Sequence, residues 1–223
     1  GYLSIVDADD VCISNTNRQL CALSDTVGRT KASVMAQRAR NINPECEVAV
    51  IEQFATRETV LEMLDPTDEE AKAKQRPVDY VVDCIDGVDD KAALLTACVQ
   101  LSLPVITCGG AGGLTDPTLL ARTDLICSEN DTLLFQVRKK MRQRYGFPQG
   151  QPNNAKGLPT WNIPAVHSAE TIRSLSSSSS DNDKEQRDDA AEAASSFRAC
   201  DVSFGTSSVV TGAFGLAAAG FVT

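Results

Sequence analysis

An α/β fold with a mostly parallel sheet and helices on both faces is what this sequence predicts, on three observations. Short apolar runs alternate with stretches of helical periodicity from Leu3 to Thr107, the order that stacks parallel strands through helical crossovers. Val78 to Cys84 is an almost unbroken apolar run, as expected of a parallel strand covered on both faces. With 223 residues and 42% hydrophobic content the chain can bury one full core, so one domain with extensions is expected.

The first strand, Leu3 to Val6, ends in Asp7, and Asp9 and Asp10 follow. A carboxylate at a strand's end suits the hydroxyls of a ribose in a nucleotide-binding α/β domain. Ser14-Asn15-Thr16-Asn17-Arg18-Gln19 reads as an anion-facing loop, a planar guanidinium among small polar side chains. Val27 to Asn41 has helical spacing, with Val27, Ala32, Met35, Ala39 and Ile42 on one side, and stops at Pro44. Gly28 and Lys31 stand at its start. An Asp, an Arg and a Lys within one turn-and-helix unit can grip both ends of a nucleotide. The competing reading is a capped helix with solvated charges.

Glu47 to Phe54 is the next predicted strand, Thr56 caps a short helix through Leu64, and residues 65–76 form a polar connection. The strand at Val78 to Cys84 ends in Asp83-Cys84-Ile85-Asp86-Gly87. Asp86 emerges at the carboxyl end, where open sheets bind ligands, or else caps the helix predicted over Lys91 to Ser102. Pro104 to Thr107 is a strand, and Gly109-Gly110-Ala111-Gly112-Gly113 allows either a close backbone approach or a positive-φ turn.

Thr132 to Tyr145 reads as a helix whose end crowds Arg138, Lys139, Lys140, Arg142 and Arg144, complementing the helix dipole or offering an RNA-backbone patch. Gly146 to Pro164 reads as loop, and His167, the only histidine, as a packed side chain. Residues 174–196 are serine-rich and then acidic, hence a disordered insertion between two parts of one domain, 1–173 and 197–223. An apolar helix from about Ser207 closes the chain. Cys200 lies upstream of that helix with Arg198 nearby, which suits a reactive thiolate or a buried structural thiol.

No apolar run reaches the length of a bilayer span; Val209 to Val222 comes nearest and reads as a buried helix. The chain begins inside a strand, so no signal peptide is expected and a cytoplasmic location is, with association with mitochondria as a further possibility. Eight cysteines, at 12, 21, 46, 84, 98, 108, 127 and 200, include no pair two residues apart, which removes the zinc-knuckle spacing. They read as small buried hydrophobes. A net charge of -9 argues against nucleic-acid coating by the whole surface, DNA included, yet permits a local basic patch.

Taken together, Asp7, Ser14 to Gln19, Gly28 with Lys31, Asn43-Pro44 and Asp83 to Asp86 resemble, in order and spacing, the adenylating domain of ubiquitin-activating enzymes and of activators of ThiS-like sulfur carriers. The later chain resembles the tRNA threonylcarbamoyladenosine dehydratases of that superfamily. Gly109 to Gly113 with Asp116-Pro117, the basic helix to Tyr145-Gly146, Val166 to Glu170, and Cys200 before Phe204-Gly205 and Thr211 to Gly215 fall where that family has similar residues. His167 takes an aromatic position of that pattern, in keeping with packing.

The resemblance implies a Rossmann-like domain lacking its first strand and Gly-rich loop, and therefore weak ATP binding by the chain as it stands. It implies ATP and Mg2+ as cofactors, with Asp7 at the ribose, Asn15 and Arg18 at the phosphates, Lys31 beside the α-phosphate, Asp86 at the magnesium, and Ser14, Asn17 and Gly87 among the cofactor-binding residues. The implied reaction is cyclisation of the threonylcarbamoyl group on tRNA through a carboxyl-adenylate, with Arg18, Lys31, Asp86 and Cys200 as catalytic residues. Implied partners are the modified tRNA, a second copy of the chain and a sulfur-relay protein. An activator of a ubiquitin-like or sulfur-carrier protein is the alternative, although the Cys-x-x-Cys pair of the sulfur-carrier activators is missing. An inactive adaptor is the other.

Overall fold

The computed structural model describes residues 1–70, 76–149, 160–171 and 205–223. The insertion expected over 174–196, and Cys200, lie outside them. In the amino-terminal part, β1 (Tyr2–Val6) runs parallel to β2 (Glu47–Ile51), with Tyr2 opposite Glu47 and Val6 opposite Ile51. The crossover is α1 (Lys31–Ile42), which starts later than its periodicity predicts. Gly28 takes a left-handed φ of +84°, and the Thr26 hydroxyl accepts from Leu23 N–H at 2.8 Å while donating to Cys21 carbonyl at 2.6 Å. Those bonds form a turn, and helical backbone begins only at Lys31. Beneath the turn, Val11, Cys21, Ala22 and Val34 form a small core.

After α2 (Val60–Leu64), the strands β3 (Val81–Asp83), β4 (Val105–Cys108), β5 (Leu120–Asp124) and β6 (Pro164–Ser168) form a second sheet in the order β3-β4-β6-β5. β3, β4 and β6 run parallel; β5 is antiparallel to β6. Helices cover both faces, as the fold class requires. On one side α3 (Val88–Gln100) and α4 (Thr132–Tyr145) enclose Leu95, Leu134, Val137 and Met141 with Val105, Ala165 and Trp161. On the other, α5 (Ser208–Val222) sets Val210, Phe214 and Ala218 against Ile106, Cys108 and Val166. Val105 and Ile106, like Ala165 and Val166, point to opposite cores because strand side chains alternate. The last helix thus packs into the same core as the central strands.

Three expectations change. The strands divide into two sheets where one was expected: β1 and β3 each have a partner on one side only, and no strand of the described residues joins them. β5, Leu-Ala-Arg-Thr-Asp, has no apolar run to announce it and exists because β6 offers an edge. Among the described cysteines, Cys21, Cys98 and Cys108 are buried as expected, while Cys12 and Cys84 are exposed and Cys46 and Cys127 half-buried; all seven are free thiols. No helix among the described residues is long and apolar enough to cross a membrane.

Candidate nucleotide site

The carboxyl ends of β1 and β3 carry the polar residues singled out in the sequence. At the end of β1, Asp7 accepts the Asp9 N–H at 2.8 Å, folding the chain back so that Asp9 meets α1. Lys31, the first residue of that helix, donates its N–H to the Asp9 carbonyl at 2.9 Å and its Nζ to Asp9 Oδ2 at 2.8 Å. Burial works to lower the Lys31 pKa, but the hydrogen bond and charge of Asp9, with the charge of Asp7, prevail and leave it above its ordinary value. Lys31 is therefore a held cation.

The loop between β1 and α1 is ordered by its own polar groups. Asn15 is buried, and its Oδ1 accepts Cys12 N–H at 3.1 Å. Arg18 Nη1 donates to the Ser14 carbonyl and to Asn17 Oδ1, both at 2.9 Å, leaving its other guanidinium donors for an anion. Asn17 in turn donates its side-chain N–H to the Thr206 carbonyl at 3.2 Å. Thr206 bridges to Gly112, and Gly113 N–H donates to the Gly205 carbonyl at 3.0 Å. The start of the carboxyl-terminal segment thus ties the Arg18 loop to the glycine loop.

At the end of β3 the chemistry is buried. Asp83 and Lys91 are fully buried with Nζ 2.9 Å from Oδ2, and Asp83 also accepts from Thr107 Oγ1 at 2.6 Å and Ile85 N–H at 3.0 Å. Lys91 Nζ donates onward to the Ile85 carbonyl at 2.9 Å. This network shapes the turn that exposes Asp86, while Gly87 caps α3. Cys84 and Cys108 stand one step beyond the Asp83–Thr107 pair of β3 and β4, with their thiols in hydrogen-bond contact. The Cys108 thiol holds the Cys84 pKa below its ordinary value against burial and the Asp83 charge, and Cys108 itself is pushed up.

Both readings of the glycine loop apply, at different positions. A Cβ on Gly109 would lie 1.9 Å from Asp131 Oδ2, and the neighbouring Gly110 N–H donates to that oxygen at 2.9 Å. Gly113 supplies the positive φ, +76°. His167 is buried in β6 with Nε2 3.1 Å from Thr123 Oγ1, a packed side chain as expected.

Asp7 and Lys31 are thus gathered around Asp9, and Ser14, Asn17 and Arg18 around one another. Among the described residues no hydrogen bond or ion pair joins Asp86 to Arg18 or Lys31. Sequence reasoning named Asp9 without giving it the role of holding Lys31, and passed over Lys91, Asp131 and Thr206. Lys91 left a signal as the one cation of its helix, and Asp131 left one as an N-cap residue type standing just before the predicted helix.

Comparison with known proteins follows the same outline. The ThiF family model matches residues 1–219. A tRNA threonylcarbamoyladenosine dehydratase of Haemophilus influenzae is 43% identical over 149 residues, 67% of this chain and 53% of that protein. The Escherichia coli protein of the same name is 41% identical over 157 residues, 70% and 53%. The chain spans about half the length of these curated relatives. A crystal structure of the E. coli dehydratase in complex with ATP aligns with 99% of this chain and 73% of that one, with 33% identity and a TM-score of 0.74. The E. coli ThiS adenylyltransferase is 32% identical over 112 residues, 50% of this chain and 40% of that protein. With a family model spanning almost every residue and the likeness extending through both sheets, the chain belongs to the ThiF family.

Proposed function

We propose that the chain carries out ATP-dependent dehydration of threonylcarbamoyladenosine in tRNA, closing the threonylcarbamoyl group into a ring through a carboxyl-adenylate. The observation that carries this reading is the alignment of nearly the whole chain with a dehydratase whose crystal holds ATP. The residues present fit the nucleotide. Arg18 keeps guanidinium donors free, Lys31 is a cation at a helix start, and Asp7 has one oxygen outside its bond to Asp9. Asp7 is assigned to the ribose, Ser14, Asn15, Asn17 and Arg18 to the phosphates, and Lys31 to the α-phosphate. Arg18 and Lys31 then stabilise charge developing there as the carboxylate attacks.

A magnesium ion is held through one or two carboxylates together with phosphate oxygens, so an exposed carboxylate outside any ion pair fits it. Asp86 is that carboxylate, beside Gly87. When bound, the ion neutralises phosphate charge. Lys91, Asp83 and Ile85 position Asp86 by fixing the turn behind it. Cys200 is assigned to the same site as a nucleophile or pocket-lining thiol, upstream of the Thr206 bridge. The reading brings with it a homodimer, a sulfur-relay protein as a partner and a cytoplasmic setting with an association with mitochondria. Light scattering, affinity capture and cell fractionation test these in turn.

The test of activity is direct. Chain, magnesium-ATP and tRNA bearing threonylcarbamoyladenosine are incubated, and the digested nucleosides are weighed by mass spectrometry. A nucleoside lighter by one water, with AMP released in step, is expected. Unchanged nucleoside, with AMP appearing only when a small carrier protein ending in Gly-Gly is added, transfers the assignment to a carrier-protein activator. The shorter reach of the ThiS adenylyltransferase likeness places that reading second.

A further inference from the structure

The fourteen residues of α4 contain no acid, in a chain whose net charge is -9. Its buried face is Leu134, Val137 and Met141. At 3.6 residues per turn, the two flanks of that face differ. On one flank Lys140 Nζ lies 2.9 Å and Arg144 Nη1 3.1 Å from Asp89 Oδ1 of α3, so both cations are paired. On the other flank Phe135, Arg138, Lys139 and Arg142 form a single stripe, and none of its cations makes an ion pair among the described residues.

Phe135 is 55% exposed, and the Arg138 guanidinium stands 5.9 Å from its ring centre. Arg138 is anchored by donating to Ser128 Oγ and, at 3.4 Å, to the Leu125 carbonyl. Burial and the neighbouring charge of Arg142 both lower its pKa, against the opposing charges of Asp131 and Glu129. Asp131 is engaged with the N–H groups of Gly110 and Leu134. A hollow of about 380 Å³ opens beside the stripe, lined by Asn130, Asp131, Thr132, Phe135, Arg138 and Thr171. Cations outside any ion pair beside an exposed aromatic ring and an open hollow of mixed lining suit a polyanion that also carries flat bases.

We infer that the stripe Phe135–Arg138–Lys139–Arg142, with its adjoining hollow, is a docking surface for the single-stranded loop of an RNA. Phosphates lie along Lys139 and Arg142, and an unstacked base rests on Phe135 at the mouth of the hollow. The inference rests on the tRNA-modifying reading and gives that reading a docking surface.

The experiment measures binding of a fluorescein-labelled anticodon stem–loop RNA by polarisation over a series of salt concentrations. Circular dichroism confirms that each variant is folded. Lys139→Gln/Arg142→Gln is expected to weaken binding at least tenfold at low salt and to lower the slope of log affinity against log salt by about 1.4, about 0.7 for each lost single-strand phosphate contact. Phe135→Ala is expected to weaken it about fivefold or more. Lys140→Gln/Arg144→Gln, on the paired flank, stays within about twofold. Equal losses on both flanks, or unchanged RNA affinity in the stripe variants, overturn the inference and leave the tRNA reading standing. Failure of the unmodified chain to bind the RNA overturns both. Loss of a bound protein from the stripe variants with RNA binding intact overturns the RNA assignment in favour of a protein partner.

Discussion

Asp83 and Lys91 lie 2.9 Å apart with no exposed side-chain surface, so removing either leaves a bare charge in the core. Lys91→Met is expected to destabilise the fold by about 3–5 kcal/mol, and Asp83→Leu/Lys91→Met to recover part of that loss, since no charge is left behind while the Thr107 hydroxyl and Ile85 N–H lose their acceptor. Urea denaturation of the three proteins checks it; a double variant as unstable as the single one contradicts it. The thiols give a second test at this scale. Cys84 is exposed with a lowered pKa, whereas burial drives Cys98 up to about 12 and Cys108 is raised by its contact with Cys84. Because the thiolate is the nucleophile, iodoacetamide at neutral pH is expected to label Cys84 well before Cys98 and Cys108, as read by peptide mass spectrometry. At the candidate nucleotide site, Arg18→Ala and Lys31→Ala are each expected to lower kcat/KM for the proposed dehydration about a hundredfold, the scale of losing one charge-stabilising donor.

At the scale of elements, Asp131 serves two at once. Its Oδ1 accepts Leu134 N–H at 2.8 Å and so caps α4, while its Oδ2 accepts Gly110 N–H and fixes the glycine loop. Asp131→Ala is expected to lose about 2 kcal/mol, the sum of a cap and one further charged hydrogen bond. Gly109→Ala drives a methyl into the same carboxylate, so the two substitutions combined are expected to destabilise less than their sum. Additive losses in thermal melts contradict that. Glu170, just past β6, holds the turn at 115–116 by accepting Asp116 N–H at 2.9 Å and the N–H and hydroxyl of Thr115. Its pKa lies below the ordinary carboxylate value because of the N–H bonds of Asp116 and Thr115 and then the Thr115 hydroxyl. A depressed carboxylate contributes stability above its unfolded pKa and loses it as pH falls through the folded one, so the loss sets in on the acid side of the ordinary carboxylate range. Glu170→Gln is expected to flatten that acid limb of the melting temperature and leave the alkaline limb unchanged.

Across the whole molecule, the bond from Asn17 to Thr206 joins positions 189 residues apart, and Gly113 to Gly205 adds a second tie. Asn17→Ala is therefore expected to raise amide hydrogen exchange at 205–206 and at 112–113 together, without changing α4. Faster exchange confined to the Arg18 loop contradicts the coupling. How much was legible follows from the reach of each interaction. The bounds of α4 were readable because both caps are local, Asp131 before it and Gly146 in a left-handed φ of +72° after it. α1 was misplaced at its start because Thr26 bonds within the preceding turn and Gly28, at a left-handed φ, donates its N–H back to the Val11 carbonyl instead of continuing the helical pattern. Arg18, Lys31 and Asp86 were recognisable by residue type and spacing, but their partners were not. The alternation of strand and helix was determined by the sequence alone, because periodicity and turn chemistry act over a few neighbouring residues, and the family was recognisable there by its resemblance in motifs such as Ser14 to Gln19 and Asp83 to Asp86. The division into two sheets, the edge strand β5, the burial of Lys91 against Asp83 and the tie from Asn17 to Thr206 were decided only by the tertiary structure. Each joins segments that lie far apart along the chain and meet only when the core closes.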